Sequence, residues 1–274
     1  NSSSTITISG TGALTVGTTM TNNGTVNANA GNLTVTGGSA TGISNSSTGT
    51  FVVAGGAVRQ GPIGGGNTTF SNSGILTVSS GTLNINGNLS HSGTQFNQSG
   101  GNINLDPNAA GITSNSSTSS NYTLNLSSSS TGSLNWTGGT LTIVDPPATA
   151  STSHYSIYYY MNAHSEVTSG HTLQFGDGIS SEAGGAGNSF LIYNYVGSYK
   201  GNWNNIIVNG PGSAVTASSL NRIVKQQSYS NNIYGNLTIN NNGEFDMNSI
   251  GIGIGNNLNV NTGGILTASG TLTL

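Results

Sequence analysis

The sequence predicts an all-β protein folded as a parallel β-helix, a solenoid whose coils contain about 20 residues each. Two observations carry this prediction: apolar residues spaced two apart, and the return of the same pattern about 20 residues later. The segment GILTVSSGTLNINGNLSHSGTQFNQSGGNINL at 74–105 has both features and contains no Lys, Arg, Asp or Glu.

The repeat is visible where the segment is shifted on itself by 20 residues. The matched pairs are Leu76 with Phe96, Gly81 with Gly101, Leu83 with Ile103, and Ile85 with Leu105. ALTV at 13–16 likewise returns as NLTV at 32–35, and GNLTINNNGEFDM at 235–247 aligns without a gap on NNLNVNTGGILTA at 256–268. Units of this size bury their apolar side only by stacking on their neighbours.

The two-residue spacing is the period of a strand, because successive side chains of a strand point to opposite sides. No stretch keeps a helical i, i+3, i+4, i+7 pattern. Gly and Asn suit the corners between strands, since they tolerate positive φ. Stacked coils are then expected to place Leu, Ile and Val in interior columns and Asn and Thr in exterior ladders.

The pattern predicts a single solenoid domain over residues 1–274. Regular coils are expected at 1–105 and 204–274, and coils with irregular insertions at 106–203. The insertion-bearing part contains YTLNL at 122–126, the Pro146–Pro147 pair and two aromatic clusters. SSLNRIVKQQSYSNNIYG at 218–235 is expected to interrupt the second regular region briefly.

Composition excludes several classes of protein. Charged residues are 4% of the chain, against roughly 25% in ordinary globular proteins. The net charge of −3 leaves no basic field for nucleic acid. No apolar run approaches the ~20 residues of a membrane span, and the absence of Cys excludes disulfides and thiolate metal sites. The Ser/Thr/Asn/Gly-rich composition favours an extracellular protein, and NSSSTITISG lacks the features of a signal peptide, so we expect a mature or excised fragment.

The carboxylates do not form a recognisable catalytic pattern. They are Asp106, Asp145, Glu166, Asp177, Glu182, Glu244 and Asp246. Only Glu244 and Asp246 have strand spacing, and they are expected to point outward on either side of a buried Phe245. No catalytic residue is therefore predicted, and a polysaccharide-acting enzyme, which needs positioned carboxylates, remains the alternative.

No metal site or cofactor is predicted either. His154, His164, Glu166 and His171 have spacings that match no metal motif, and are interpreted as surface residues of a loop. FGDGISSEAGGAG at 175–187 resembles a calcium turn, but it is not repeated. Thr pairs such as TLT at 140–142 resemble ice-binding surfaces, yet the other outward positions are mixed.

The aromatic clusters are the clearest departure from this background. Tyr and Trp stack on sugar rings and dominate many interfaces. The candidate ligand-binding residues are Tyr158, Tyr160, Tyr195, Tyr199 and Trp203. The alternative interpretation is that an insertion packs on the side of the solenoid and that these aromatic side chains cover it.

The phrases GNLTINNNGEFDM, NNLNVNTGGILTASGTLTL and WNNIIVNG resemble the repeats of very large secreted surface proteins of Bacteroidetes, including gliding-motility adhesins carried by type IX secretion. They are more loosely similar to filamentous-haemagglutinin-like adhesins. The resemblance covers residues 1–105 and 204–274. It implies a right-handed parallel β-helix displayed at the cell surface, without cofactor or catalytic residues.

From this we expect a non-enzymatic fragment of an extracellular adhesin, filament or stalk that attaches to a glycan or cell-surface partner. A purely structural subunit that associates end to end into fibres is a further alternative.

Overall fold

The computed structural model describes residues 4–37, 41–61, 68–106, 122–130, 132–145, 155–161, 166–167, 170–179, 189–194, 201–210, 222–227 and 230–274. These residues form 27 β-strands, and none of them lies in a helix. The strands pair in parallel in three sheets. The prediction of an all-β protein with parallel strands is confirmed.

Sheet A is the largest, with 13 of the described strands. Its members are β1 (Thr5–Ile8), β2 (Ala13–Val16), β4 (Thr25–Ala28), β5 (Asn32–Val35), β7 (Thr50–Gln60), β9 (Ile75–Ile85), β11 (Gln95–Leu105), β13 (Leu134–Ile143), β15 (Glu166–Val167), β16 (Thr172–Phe175), β19 (Asn205–Val208), β22 (Leu237–Ile239) and β25 (Leu258–Val260).

Sheet B has ten of the described strands and sheet C has four. Sheet B consists of β3 (Met20–Asn22), β6 (Thr41–Asn45), β8 (Thr68–Asn72), β10 (Gly87–His91), β12 (Tyr122–Leu126), β14 (Tyr155–Tyr159), β17 (Ser189–Asn194), β20 (Arg222–Gln227), β23 (Gly243–Asp246) and β26 (Ile265–Thr267). Sheet C consists of β18 (Gly201–Trp203), β21 (Asn231–Ile233), β24 (Ile252–Ile254) and β27 (Leu272–Thr273).

The chain visits these sheets in turn. It passes from sheet A to sheet B and back to A, and from β18 onward it also passes through sheet C. Each return adds a parallel strand beside the previous one, so neighbours in a sheet are distant in sequence. This arrangement is compatible with a β-helix or another solenoid.

The register between strands matches the sequence repeat. Leu83 pairs with Ile103 between β9 and β11, and Leu14 pairs with Leu33 between β2 and β5. Near the end of the chain, Leu237 pairs with Leu258. The predicted stacking of these repeats on adjacent strands is therefore confirmed.

One apolar column illustrates how stacking builds the core of sheet A. In register order its members are Leu14, Leu33, Val58, Leu83, Ile103, Leu141, Leu173, Ile206, Leu237 and Leu258. All except Leu14 and Leu258, the two ends, are buried. Since each side chain is covered by those above and below it, a few aliphatic residues per strand are enough to exclude water.

Glycine allows the long strands β7, β9 and β11 to bend in the middle. Gly55, Gly81 and Gly101 have φ values of 112°, 76° and 65°. At Gly81 a Cβ atom would also collide with the backbone oxygen of Gly56 on the neighbouring strand. Each bend therefore needs a residue without a side chain.

The described segments between 106 and 203 continue the same sheets. β12, β14 and β17 extend sheet B, and β13 and β16 extend sheet A. Within the segment expected to interrupt the second regular region, β20 belongs to sheet B and β21 belongs to sheet C. Val224 and Gln226 in β20 are both buried, which shows the alternation of a strand.

Candidate functional site

The three consecutive tyrosines at 158–160 separate onto two faces of sheet B. Tyr159 is buried, while Tyr158 and Tyr160 are half-buried on the outer face. Inside, the ring of Tyr159 meets that of Trp203 edge to face at 5.6 Å between centroids. Aromatic side chains therefore lie on both faces of this strand.

The outer tyrosines join others from neighbouring strands in a tyrosine patch. The patch consists of Tyr122, Tyr155, Tyr158, Tyr160 and Tyr193, all half-buried. The register explains the cluster, because Tyr122 pairs with Tyr155 and Tyr158 pairs with Tyr193.

Tyr158 lies at the centre of the tyrosine patch. Its ring is stacked on that of Tyr193 with 5.6 Å between centroids and 11° between planes. It also contacts the rings of Tyr122 at 6.2 Å and Tyr160 at 6.4 Å. Tyr155 and Tyr193 stack more closely, at 4.4 Å. The result is a nearly continuous aromatic surface across three strands of sheet B.

The surroundings of Tyr155 oppose ionisation of its phenol. Burial raises the pKa of Tyr155, and the neighbouring Tyr193 raises it further. At neutral pH this part of the patch therefore offers an uncharged ring, which suits stacking on a sugar or an apolar surface.

The structure corrects the prediction for Trp203. This side chain is 0% exposed, so the expectation that it contacts a ligand is wrong. Its indole Nε1 donates a hydrogen bond to Asn231 Oδ1 at 2.9 Å, which allows the ring to be buried without an unpaired donor. Tyr195 and Tyr199 lie outside the described residues and stay predictions.

Two of the scattered carboxylates meet at a polar groove on the outer side of sheet A. Asp106 follows β11 and Asp177 follows β16, and the two line one groove of about 400 Å³. The other lining residues include Arg59, Asn84, Asn86, Asn104 and Val144. Sequence reasoning missed this convergence because long and variable connections separate the strands involved.

The groove is built from positions in register. Arg59 pairs with Asn84, and Asn84 pairs with Asn104, so these three outward side chains form one row across sheet A. Asn104 Nδ2 donates to Asn84 Oδ1 at 2.8 Å. Beyond the strand ends, the Asp106 amide donates to the Ile85 carbonyl, which continues the ladder and places the carboxylate at the edge of the row.

Glu244 and Asp246 point outward on either side of the buried Phe245, as predicted. Both are engaged locally. Thr267 Oγ1 donates to Glu244 Oε1 at 2.6 Å, and the Asn248 amide donates to Asp246 Oδ1 at 2.8 Å. The only carboxylate pair that the sequence singled out therefore stabilises turns and rungs of sheet B.

His171 is in the core, so its interpretation as a surface residue of a loop is wrong. Its ring stacks on Trp136 at 4.6 Å, and its Nε2 lies 3.1 Å from Gln98 Oε1. Burial lowers the pKa of His171 to about 3, so the ring is neutral at pH 7 and Nε2 carries the donated proton. His154, His164 and Glu182 lie outside the described residues, as does the side chain of Glu166.

Asp177, in the segment that resembles a calcium turn, accepts a hydrogen bond from the Ile179 amide at 2.9 Å. Among the residues that the structure describes, no three His, Cys, Asp or Glu side chains are grouped so as to hold a metal ion. The same residues include no helix with the length and apolarity to cross a membrane.

Comparison with protein-family models, with curated proteins and with solved structures found no match.

Proposed function

We propose that this chain is part of an extracellular, non-enzymatic adhesin whose tyrosine patch contacts a glycan or cell-surface partner. The observation that supports the proposal is the patch itself. Five half-buried tyrosines in or directly after three adjacent strands form one surface, and aromatic rings of this kind stack on the C–H faces of sugars.

The proposal includes a finer description of the fold. We propose that the three sheets are the faces of one right-handed parallel β-helix, with coils of about 20 residues where the repeat is regular and with insertions in the middle. The repeated order of sheets along the chain and the one-strand advance per return support it. Such a rod provides reach from a cell surface, and the resemblance to type IX secreted adhesins of Bacteroidetes suggests the same display here.

Substitution within the patch tests the adhesive function. We expect a Tyr158→Ala/Tyr193→Ala double variant to lose at least tenfold in attachment to glycan-coated or cell surfaces, because the central stacked pair is removed. Attachment is measured with the isolated chain in a surface-binding assay and on a glycan array, and folding by circular dichroism.

Tyr234→Ala is the matched control. Tyr234 is 54% exposed and lies on the sheet C side, away from the patch residues, so its loss is expected to leave attachment unchanged. Equal attachment by the native chain and the folded double variant would remove the patch from the proposal.

A polysaccharide-acting enzyme is the second candidate, and the meeting of Asp106 and Asp177 in one groove favours it. Glycosidic cleavage requires a pair of carboxyl groups about 5–10 Å apart. The test is the release of new reducing ends or unsaturated products from polysaccharides. Release that is abolished in both Asp106→Asn and Asp177→Asn variants would replace the adhesin proposal with this one.

A further inference from the structure

We propose that the polar groove on sheet A binds a neutral, hydroxyl-rich polysaccharide chain. Its residues are separate from those of the tyrosine patch, and the proposal holds whether or not the patch is adhesive. Three properties of the groove carry it: a buried donor without a partner, the balance of charge, and a repeat of amide groups along the row.

The donor is Arg59. Its Nε atom is buried and has no hydrogen-bond partner among the described residues. A buried polar group that makes no hydrogen bond is costly, and more so when it is charged. Arg59 lines the groove, and its guanidinium presents N–H groups in a planar fork, which suits donation to the oxygen atoms of a ligand.

The charge of the lining selects the kind of ligand. Arg59 contributes one positive charge, and Asp106 and Asp177 contribute two negative charges. A polyanionic chain would meet two carboxylates for one guanidinium and be repelled. Sugar hydroxyls, in contrast, both accept from Arg59 and donate to the two carboxylates.

The amide row supplies a repeat. Asn84 and Asn104 lie on adjacent strands, which are separated by about 4.8 Å, close to the length of one sugar residue in an extended chain. Their mutual bond uses Asn104 Nδ2 and Asn84 Oδ1. Asn84 Nδ2 therefore remains as a donor and Asn104 Oδ1 as an acceptor for successive sugar hydroxyls.

The size and shape agree with this ligand. The groove volume of about 400 Å³ lies within the ~300–1,000 Å³ range of small-molecule sites. Val144 adds an apolar surface to the otherwise polar lining, which suits the C–H side of a sugar ring.

Affinity electrophoresis of the native chain tests the proposal. The gels contain neutral galactomannan, xyloglucan or dextran, or the polyanion polygalacturonate. We expect retardation by at least one neutral polymer and none by polygalacturonate. Retardation by no neutral polymer, or tighter binding of polygalacturonate, would overturn the proposal.

Variants assign the binding to the groove. Asn84→Ala/Asn104→Ala and Asp106→Asn/Asp177→Asn are each expected to weaken retardation by the neutral polymer at least tenfold. Asn259→Ala, which removes an outward amide from the same face of sheet A outside the groove, serves as control and should bind like the native chain. Native-like binding by both double variants would also overturn the proposal.

The Tyr158→Ala/Tyr193→Ala variant separates the two proposals. Because it leaves the groove intact, we expect it to keep full retardation by the neutral polymer even where surface attachment is lost. Loss of retardation in this variant, with native retardation in the groove variants, would assign glycan binding to the patch alone.

Discussion

At the residue scale, a buried column of amides joins sheet B to sheet A. Asn22 Nδ2 donates to Asn45 Oδ1, and Asn45 Nδ2 donates to Asn72 Oδ1, each at 2.7 Å. Asn72 Nδ2 then lies 2.9 Å from His91 Nδ1. The same amides also donate to the carbonyls of Thr50, Ile75 and Gln95 at the starts of sheet A strands. The column therefore satisfies the polar groups of a corner that water does not reach.

Asn45→Ala is expected to lower the free energy of unfolding by about 3 kcal/mol or more, because it leaves Asn22 and Asn72 buried without their partner. The measurement is urea unfolding followed by circular dichroism. Asn259→Ala removes an exposed ladder amide and should change stability by less than about 0.5 kcal/mol. Similar losses in the two variants would contradict the role of the buried column.

His91 and His171 make stability depend on pH. Burial lowers the pKa of His91 to about 4, against weaker opposing contacts with the backbone of Ser133 and Asn72, and it lowers that of His171 to about 3. The unfolded chain therefore binds protons below about pH 6.5 that the folded chain does not. The stability that depends on the neutral histidines is fully present above that pH, and it is lost as the pH falls towards 4 for His91 and towards 3 for His171.

His91→Asn tests this contribution, since it keeps an acceptor for Asn72 and removes the titrating ring. We expect the decrease in unfolding free energy between pH 6.5 and 4 to shrink by a few kcal/mol relative to the native chain. Urea unfolding at a series of pH values measures it, and an unchanged pH slope would contradict the assignment.

At the element scale, the corners between sheet B and sheet A strands restrict the choice of residue more than the strands do. Asn22, Asn45, Asn72 and His91 each end a strand of sheet B, and each is followed within four residues by a glycine before the next sheet A strand. Gly49, Gly74 and Gly93 pack against one another, since a Cβ atom at Gly93 would collide with the carbonyl oxygen of Gly74. At Gly74, a Cβ atom would collide with the carbonyl oxygens of Gly49 and Ser46, so the corner leaves no space for any side chain.

Gly74→Ala is therefore expected to lower the midpoint of thermal unfolding by several degrees, because a backbone carbonyl of the adjacent rung must move. Gly17→Ala is the matched control, since a Cβ atom there meets no atom within 4 Å and the φ angle is not in the left-handed region. The midpoint of thermal unfolding is measured for both variants. Equal midpoints would mean that the backbone at the corner moves to accept a side chain without loss of stability.

At the scale of the whole molecule, each strand depends on the strands on either side of it. The interior column described above is buried through its middle and becomes partly exposed at Leu14 and Leu258. Stability in such a stack is close to a sum of neighbour contacts, so it should be greatest in the middle.

Leu83→Ala is expected to destabilise the protein by about 2–5 kcal/mol, because it opens a cavity in the fully buried part of the column. Leu258→Ala should cost less, since Leu258 is already half-exposed. Amide hydrogen exchange gives the same comparison without mutation: slower exchange is expected for β9 and β11 than for β1, β2, β25 and β26. Uniform protection along the chain would contradict the neighbour-by-neighbour description.

In the regular repeats, the sequence by itself determined which side chains face inward and which strands stack. The two-residue period fixes the side of each residue, as for Phe245 between Glu244 and Asp246. The repeat fixes the neighbour wherever connections have constant length, as for Leu83 and Ile103. These properties are local or periodic, so they can be derived without coordinates.

Only the tertiary structure decided which distant residues meet. Asp106 and Asp177 share a groove, Trp203 and His171 lie in the core, and Tyr122 joins Tyr158 in the patch. Each of these placements depends on connections of irregular length. The strand with which a segment pairs depends on the number of residues in the connection before it. The hydrophobic pattern alone does not show which residues form a connection and which form a strand. The two candidate sites are therefore defined only once the whole chain is stacked.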